Sequence, residues 1–202
     1  IGIDIGGMSI KGAIISENGD VITRSCVPTF NDGEKIASLD NLFSLLSELV
    51  NQANIDGHKL TGIGIGCPGT IDNNSGSIDF ANNLNWENVP LKSLVEEKFN
   101  IETKLTNDAN AATLGEAKFG SGKNFKNLIM LTIGTGIGGG IIIDHQLYEG
   151  NLGKAAELGH ITLFMNGLEC SCGRKGCAEK YASASALIEQ AKQAAQSNKE
   201  SL

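Results

Sequence analysis

Thr106-Asn107-Asp108-Ala109-Asn110 sets a carboxylate among amides where an extended run gives way to a helical one. Asn and Asp are favoured helix caps, and capping alone would account for one of them. A cap needs one side chain, and this junction offers several. A carboxylate so placed has a second use, accepting the proton of an alcohol during in-line phosphoryl transfer. Asp108 is therefore the candidate general base. Upstream, Gly69 and the pair Asn82-Asn83 fall in loops that could reach the hydroxyls of a polyol, although Asn-rich loops are commonly plain turns.

A second group lies further along. Glu157-Leu158-Gly159-His160 precedes Cys170-Ser171-Cys172-Gly173-Arg174-Lys175-Gly176-Cys177-Ala178-Glu179. His160, Cys170, Cys172 and Cys177 make a Cys3His set, the donor chemistry of a closed, tetrahedral structural zinc site. Unbound, such thiols would be open to oxidation. Four protein ligands leave no open position, so a structural ion is expected rather than a catalytic one. The spacing is tighter than that of a zinc finger, and Gly173 and Gly176 permit the wrap. Glu157 and Glu179 flank the knuckle and are poorer zinc ligands than thiolates. They could be fixed by it and turned toward a polyol, where carboxylates accept hydroxyl hydrogen bonds. His160 could place one ring nitrogen on the ion and use the other toward substrate. Cys26 and Cys67 stand alone in strand-like surroundings and are expected to be buried thiols.

Two glycine-rich turns complete the chemistry. Asp4-Ile5-Gly6-Gly7-Met8-Ser9-Ile10-Lys11 places a carboxylate at a strand end before small residues. Backbone N–H groups there could approach phosphate oxygens, with Asp4 orienting Mg2+ through water. It is not a Walker loop, which needs a following helix and a Gly-Lys-Ser/Thr ending. A tight hairpin accounts for the motif equally well on its own. Gly134-Thr135-Gly136-Ile137-Gly138-Gly139-Gly140 resembles a dinucleotide fingerprint in spacing but leads into a strand, so a second phosphate clamp at Thr135 fits better. Two such turns together say more than either alone.

The elements that must position these groups follow from periodicity. Segments 1–5, 11–16 and 21–27 are expected strands, the last two joined by a turn at 17–20. Apolar residues at Ile36, Leu39, Leu42, Phe43, Leu46, Leu49 and Val50 mark a helix over 35–53. Further expectations are strands at 60–65, 103–105, 128–133 and 140–143, and helices at 90–99, 107–118 and 182–196. That order suggests two similar α/β lobes, 1–105 and 106–202, facing a cleft, the second ending unfinished at Leu202. The 26 glycines against 3 prolines, 41% hydrophobic and 19% charged residues describe an ordinary globular chain. The net charge of -7, without a basic cluster, argues against nucleic acid. No apolar run reaches bilayer-spanning length and no signal peptide is evident, so no membrane role and a cytoplasmic location are expected.

Taken in order, Asp4-Ile5-Gly6-Gly7, Cys67-Pro68-Gly69, Asn107-Asp108-Ala109-Asn110, the 134–140 turn, Glu157-x-x-His160 and the knuckle through Glu179 resemble the ROK family of repressors, open reading frames and sugar kinases. The family includes glucokinases and N-acetylmannosamine kinases. The resemblance implies a two-lobed, actin-like (ribonuclease H-like) ATPase fold with its second lobe incomplete. It implies Asp108 as base, Asn107 as a sugar contact, and Glu157, His160 and Glu179 on the remaining hydroxyls, with Gly69 and Asn83 near the sugar. It matches His160, Cys170, Cys172 and Cys177 to structural Zn2+ ligands. Asp4, Gly6, Gly7, Met8 and Lys11 match the first phosphate turn for ATP and catalytic Mg2+; Thr135 and Gly136 match the second. Homodimers are frequent among relatives.

Phosphorylation of a hexose or N-acetylhexosamine at C6 is the leading expectation. A sugar-sensing repressor and a non-catalytic sugar-binding fragment are the alternatives. The family's repressors carry a helix-turn-helix ahead of the Asp4-type strand, and nothing precedes it in this sequence. A sensor also needs no base, which Asp108 supplies. Residues 69–86 would decide which sugar fits. Where the family usually has Thr, this chain has Met8, removing a phosphate-facing hydroxyl while keeping the backbone N–H. Met8→Thr is expected to change nucleotide affinity without abolishing activity; superimposable nucleotide titrations of the two forms would count against that role.

Overall fold

In the computed structural model, residues 1–197 apart from 31, 35, 73 and 152 are described. The chain opens as an antiparallel meander of β1 (Gly2–Ile5), β2 (Ser9–Ile15) and β3 (Val21–Pro28). Alternation sends Ile3, Ile5, Ile10 and Ile14 to one buried face and Asp4 and Lys11, directly opposite each other, to the other. Helix α1 (Leu39–Ile55) covers the buried face with Leu42, Leu45, Leu46, Leu49 and Ala53. The helix starts later than the apolar stripe suggested, because the Ser38 side chain accepts from Asn41 N at 3.2 Å and fixes the N-cap there. Ile36 is exposed outside the helix, and the expected start at Lys35 lies outside the described residues.

β4 (Ile63–Cys67) runs parallel to β1. The stretch after it, expected to be loop, folds into a small antiparallel sheet of β5 (Thr70–Asp72), β6 (Ser77–Ala81) and β7 (Trp86–Val89). The indole of Trp86, buried, donates to Ala37 O at 3.0 Å and ties this small sheet to the entry of α1. Gly69 makes the turn into it at φ +102; a Cβ there would strike Phe80 O, so only glycine fits. Helix α2 (Leu91–Phe99) and β8 (Thr103–Asn107) follow, and β8 pairs parallel to β4. The main sheet is five-stranded, ordered β3-β2-β1-β4-β8.

Helix α3 (Asp108–Lys118) leaves β8 directly and packs on both β4 and the next sheet. That sheet consists of β9 (Leu128–Ile133), β10 (Ile137–Ile143) and β11 (Gln146–Leu147), in the order β11-β10-β9. β10 begins three residues before the expected 140, so Gly138, Gly139 and Gly140 are strand residues and the turn shrinks to 134–136. Their glycines serve packing. A Cβ on Gly138 would lie 3.0 Å from Ala109 Cβ, and one on Gly140 would strike Thr113 Oγ1. The last helix is divided into α4 (Glu179–Ala182) and α5 (Ala184–Ser197) at Ser183, whose hydroxyl accepts from Ala186 N at 3.1 Å. The helix expected over 182–196 corresponds to α5 within two residues at each end, while Leu202, where the second lobe was expected to end, lies outside the described residues. No helix among the described residues is long and apolar enough to cross a membrane.

Cys26 corrects one expectation: it is exposed, because it sits opposite Lys11 on the face of the sheet that α1 does not cover. Cys67 is buried as expected. Gly140→Ala tests the α3–β10 contact. Overpacking against Thr113 should cost about 1–3 kcal/mol, measured as a lower midpoint in urea unfolding followed by circular dichroism; an unchanged midpoint would show that the helix is not pressed onto the strand.

Candidate functional site

The β8–α3 junction divides its labour between two neighbours. Asn107 Oδ1 accepts from Ala109 N at 2.9 Å and from Asn110 N at 3.3 Å, so capping is met by the asparagine. Asp108 Oδ1 also accepts from Ala109 N, at 2.8 Å. Its other oxygen accepts no hydrogen bond among the described residues, and the side chain is exposed. A carboxylate held at a helix N-terminus by one oxygen and open at the other is arranged to take a proton from outside. With its oxygen engaged in the cap, Asn107 has its amide N–H2 left for a ligand.

A small cavity opens beside this junction and gathers Gly69, Asn107, Asp108 and Glu157. Glu157 reaches it because Ala156, at φ +62, reverses the chain immediately before it. Asn83 does not line the cavity; it is exposed on the 3-10 turn Asn82–Leu84. His160 and Glu179 do not line it either, but His160 N donates to Glu157 O at 3.0 Å across the 3-10 turn Leu158–His160. The sequence quoted Asn110 only as part of the motif, and the structure puts it on the cavity wall with Thr70, Gly138 and Gly139. In the sequence Gly138 and Gly139 read as part of a phosphate turn rather than as cavity wall, because of their spacing; no signal points to Thr70.

The knuckle closes beside it. The ligand atoms of His160, Cys170, Cys172 and Cys177 all lie within 4.8 Å of one another. His160 Nδ1 is 3.5 Å from Cys170 Sγ, and the Cys172 and Cys177 sulfurs are 3.6 Å apart. A tetrahedral site with Zn–S near about 2.3 Å has sulfur–sulfur edges of about 3.8 Å, so these residues fit such an ion. Hydrogen bonds from Arg174 bring the Cys172 thiol down to about 6, while burial pushes Cys170 up to about 12. A bound cation would displace both protons.

Glu179 joins the knuckle to the second glycine turn. Cys170 Sγ donates to its Oε1 at 3.1 Å, and His160 Nδ1 stands 3.7 Å from the same oxygen. Its Oε2 lies 3.0 Å from where a Cβ on Gly136 would sit. Only 15% of the Glu179 side chain is exposed, against 22% for His160, so both are held rather than free. The turn itself is tied by Gly134 N donating to Gly136 O and by Ala184 N donating to Gly134 O, which leaves Thr135 exposed at its tip.

At the first turn, Gly6 N donates to Ser9 O at 3.0 Å, and the buried Thr29 hydroxyl donates to Gly6 O at 2.6 Å. Gly7 and Met8 project beyond these anchors, Met8 with 89% of its surface exposed. Burial raises the Asp4 carboxyl; Lys11 opposes the shift, and the charge of Asp108 adds to it. The same two carboxylates, after burial, keep the Cys67 thiol protonated. Asp4 and Asp108 thus share one electrostatic neighbourhood at the ends of β1 and β8, two carboxylates and one lysine that a polyanion and its cation could join.

Residues 1–201 match the sequence model of the ROK family. A glucokinase of Streptomyces coelicolor is 42% identical over 200 residues, 99% of this chain and 61% of its own length. A xylose repressor of Caldicellulosiruptor bescii is also 42% identical, over 93% of this chain and 47% of its own. The crystal structure of a ROK family glucokinase from Streptomyces griseus, in complex with glucose and AMPPNP, superposes with a TM-score of 0.80 at 39% identity, covering 98% of this chain and 62% of that one. The chain therefore spans about three-fifths of the length of these glucokinases.

One metal equivalent per chain is expected from the knuckle. Elemental analysis should find it lost in Cys177→Ser and kept in Cys26→Ser; equal metal content in the two variants would remove the knuckle as its site.

Proposed function

The chain belongs to the ROK family, and from that premise we propose that it carries the sugar site and part of the nucleotide site of a cytoplasmic sugar kinase. The reaction would transfer the γ-phosphoryl group of ATP to the C6 hydroxyl of a hexose or N-acetylhexosamine. The observation that carries this reading is the division of labour at the β8–α3 junction: Asn107 caps the helix, and Asp108 keeps one carboxylate oxygen open to the cavity.

In this reading the sugar enters beside Gly69, with Glu157 and the Asn107 amide on its hydroxyls and His160 and Glu179 supporting them from the knuckle. Asp108 accepts the C6 hydroxyl proton as that oxygen forms its bond to the γ-phosphorus. The bond from the γ-phosphorus to the bridging oxygen breaks, and ADP leaves with the electron pair. Asp4, Lys11 and the turn at Gly6 and Gly7 lie on the nucleotide side, with Thr135 and Gly136 as the second phosphate contact. Bound Mg2+ would neutralise phosphate charge and offset the repulsion between Asp4 and Asp108. Structural Zn2+ on His160, Cys170, Cys172 and Cys177 would hold Glu179 and, through His160, the turn carrying Glu157. The lobes expected as 1–105 and 106–202 would part within β8.

A second reading has its own support, since the xylose repressor is as similar as the glucokinase. A repressor would bind sugar at the same cavity without transferring phosphate. Asp108→Asn separates the two. For a kinase, sugar-dependent ADP release by the intact protein should fall about a hundred- to ten-thousand-fold with sugar binding largely retained. Sugar binding by the wild type without any ADP release would favour the sensor, and ADP release that survives Asp108→Asn would remove the assigned base.

A further inference from the structure

Asn110 is a residue of the cavity wall to which no role has been given. Its side chain is only 4% exposed, yet its Oδ1 has no hydrogen-bond partner among the described residues. Its backbone N–H is already spent on Asn107 Oδ1, and its Cα is pinned in the first turn of α3. A buried carbonyl oxygen without a donor costs on the order of 1–3 kcal/mol, so folded proteins keep such groups only where something repays them. Helix geometry offers nothing in return here, since the cap is complete without the side chain.

The surroundings decide what could repay it. The cavity shared by Asn110 is lined by two carboxylates, Asp108 and Glu157, which accept and cannot donate once ionised, and by Lys154, which makes no hydrogen bond to the Asn110 oxygen. The Asn107 oxygen is occupied by backbone N–H groups. The wall therefore offers both acceptors and donors, the carboxylates against Lys154 and the Asn107 amide N–H2, and a ligand whose groups both donate and accept, as polyol hydroxyls do, complements it. We propose that Asn110 is a specificity-determining residue of this cavity: its oxygen, sealed from solvent without a ligand, turns to the cavity by rotation of the amide and accepts from a sugar hydroxyl other than the one Asp108 deprotonates. This inference rests on the reading of the cavity as a sugar site. A neutral amide suits the role: it binds a hydroxyl without adding a third negative charge beside Asp108 and Glu157. A sugar lacking that hydroxyl would leave the oxygen unpaired, and rejection by an unpaired buried group is stronger than rejection by a missing methylene.

The test uses the intact protein and calorimetric binding of glucose, mannose, fructose, N-acetylglucosamine and N-acetylmannosamine, followed by the monodeoxy analogues of the sugar that binds tightest. In the wild type, one monodeoxy analogue should bind about tenfold more weakly than its parent through loss of this contact. In Asn110→Leu, which fills a similar volume without the amide, the parent should weaken to the level of that analogue. The two should then bind alike, while discrimination at the other positions persists. The same variant should unfold at an equal or higher temperature than the wild type without sugar, because the unpaired oxygen is gone. Asn110→Ser gives a second variant of smaller volume and should show the same loss of discrimination. A lower melting temperature with every deoxy preference intact would assign Asn110 a structural role and overturn the inference while leaving the kinase reading standing. Absence of binding by every sugar in the wild type would overturn both.

Discussion

Contact between small residues on α3 and on two different sheets is the constraint on which the rest of the molecule depends. Ala111 faces Gly66 of β4, where an added Cβ would lie 3.1 Å from the alanine methyl. Ala109 faces Gly138, and Thr113 faces Gly140, both on β10. The helix can touch both sheets only because each of these contacts has a glycine on one side. Its buried residues are Ala109, Asn110 and Thr113, so the gain is in close packing over a short helix rather than in large apolar area. Any added methyl would push the helix off one sheet, and with it the carboxylate at its first residue. The position of Asp108 is thus set by steric exclusion along the whole length of α3.

The second side of the site is held differently. Around the knuckle there is little apolar burial: Ile161, Leu163, Phe164, Met165 and Leu168 are all exposed. Order there comes from polar contacts, among them Gly176 N to Leu168 O, Ala178 N to Ile161 O, and Cys170 to both His160 and Glu179. A loop of this kind cannot be fixed by a hydrophobic core, which is the circumstance in which a metal ion contributes folding energy directly. The cavity is therefore bounded by a sterically locked helix on one side and by a loop held through ligands and hydrogen bonds on the other. Glu157 and Glu179 both belong to the second kind of support.

Much of this was legible from residue types. The apolar alternation of β1 and β2 and the stripe of α1 placed the main core, and the Cys3His set identified its own cluster without reference to the fold. The asparagine–aspartate pair was legible as a junction. What was not legible depended on contacts distant in sequence. The strands of the small sheet are three to five residues long and bear polar side chains, so neither period nor length marked them. The glycines of β10 resembled a turn, because a strand that must accept Thr113 and Ala109 at close range has the composition of a loop. Cys26 was misplaced for a related reason: alternation shows that β3 has two faces but not which of them a helix covers. Asn83 sat in a suitable segment, but the fold directs that segment outward.

The same framework is compatible with a similarity that joins a glucokinase and a xylose repressor. The groups that line the cavity, Asn107, Asp108, Asn110 and Glu157, are held by α3, β10 and the knuckle-linked turn, all of which are complete within the described residues. The first glycine turn is supported independently, by Thr29 and the β1–β2 pairing. Its link to the cavity is electrostatic, through Asp4 and Asp108. A change in the turn proposed for the nucleotide therefore need not disturb the cavity proposed for the polyol, since among the described residues no hydrogen bond of the cavity passes through Gly6, Gly7 or Met8. If the cavity holds a sugar as proposed, recognition can outlast phosphoryl transfer in such an arrangement. What a kinase requires beyond recognition is the unspent oxygen of Asp108, which the asparagine beside it makes available by taking over the cap.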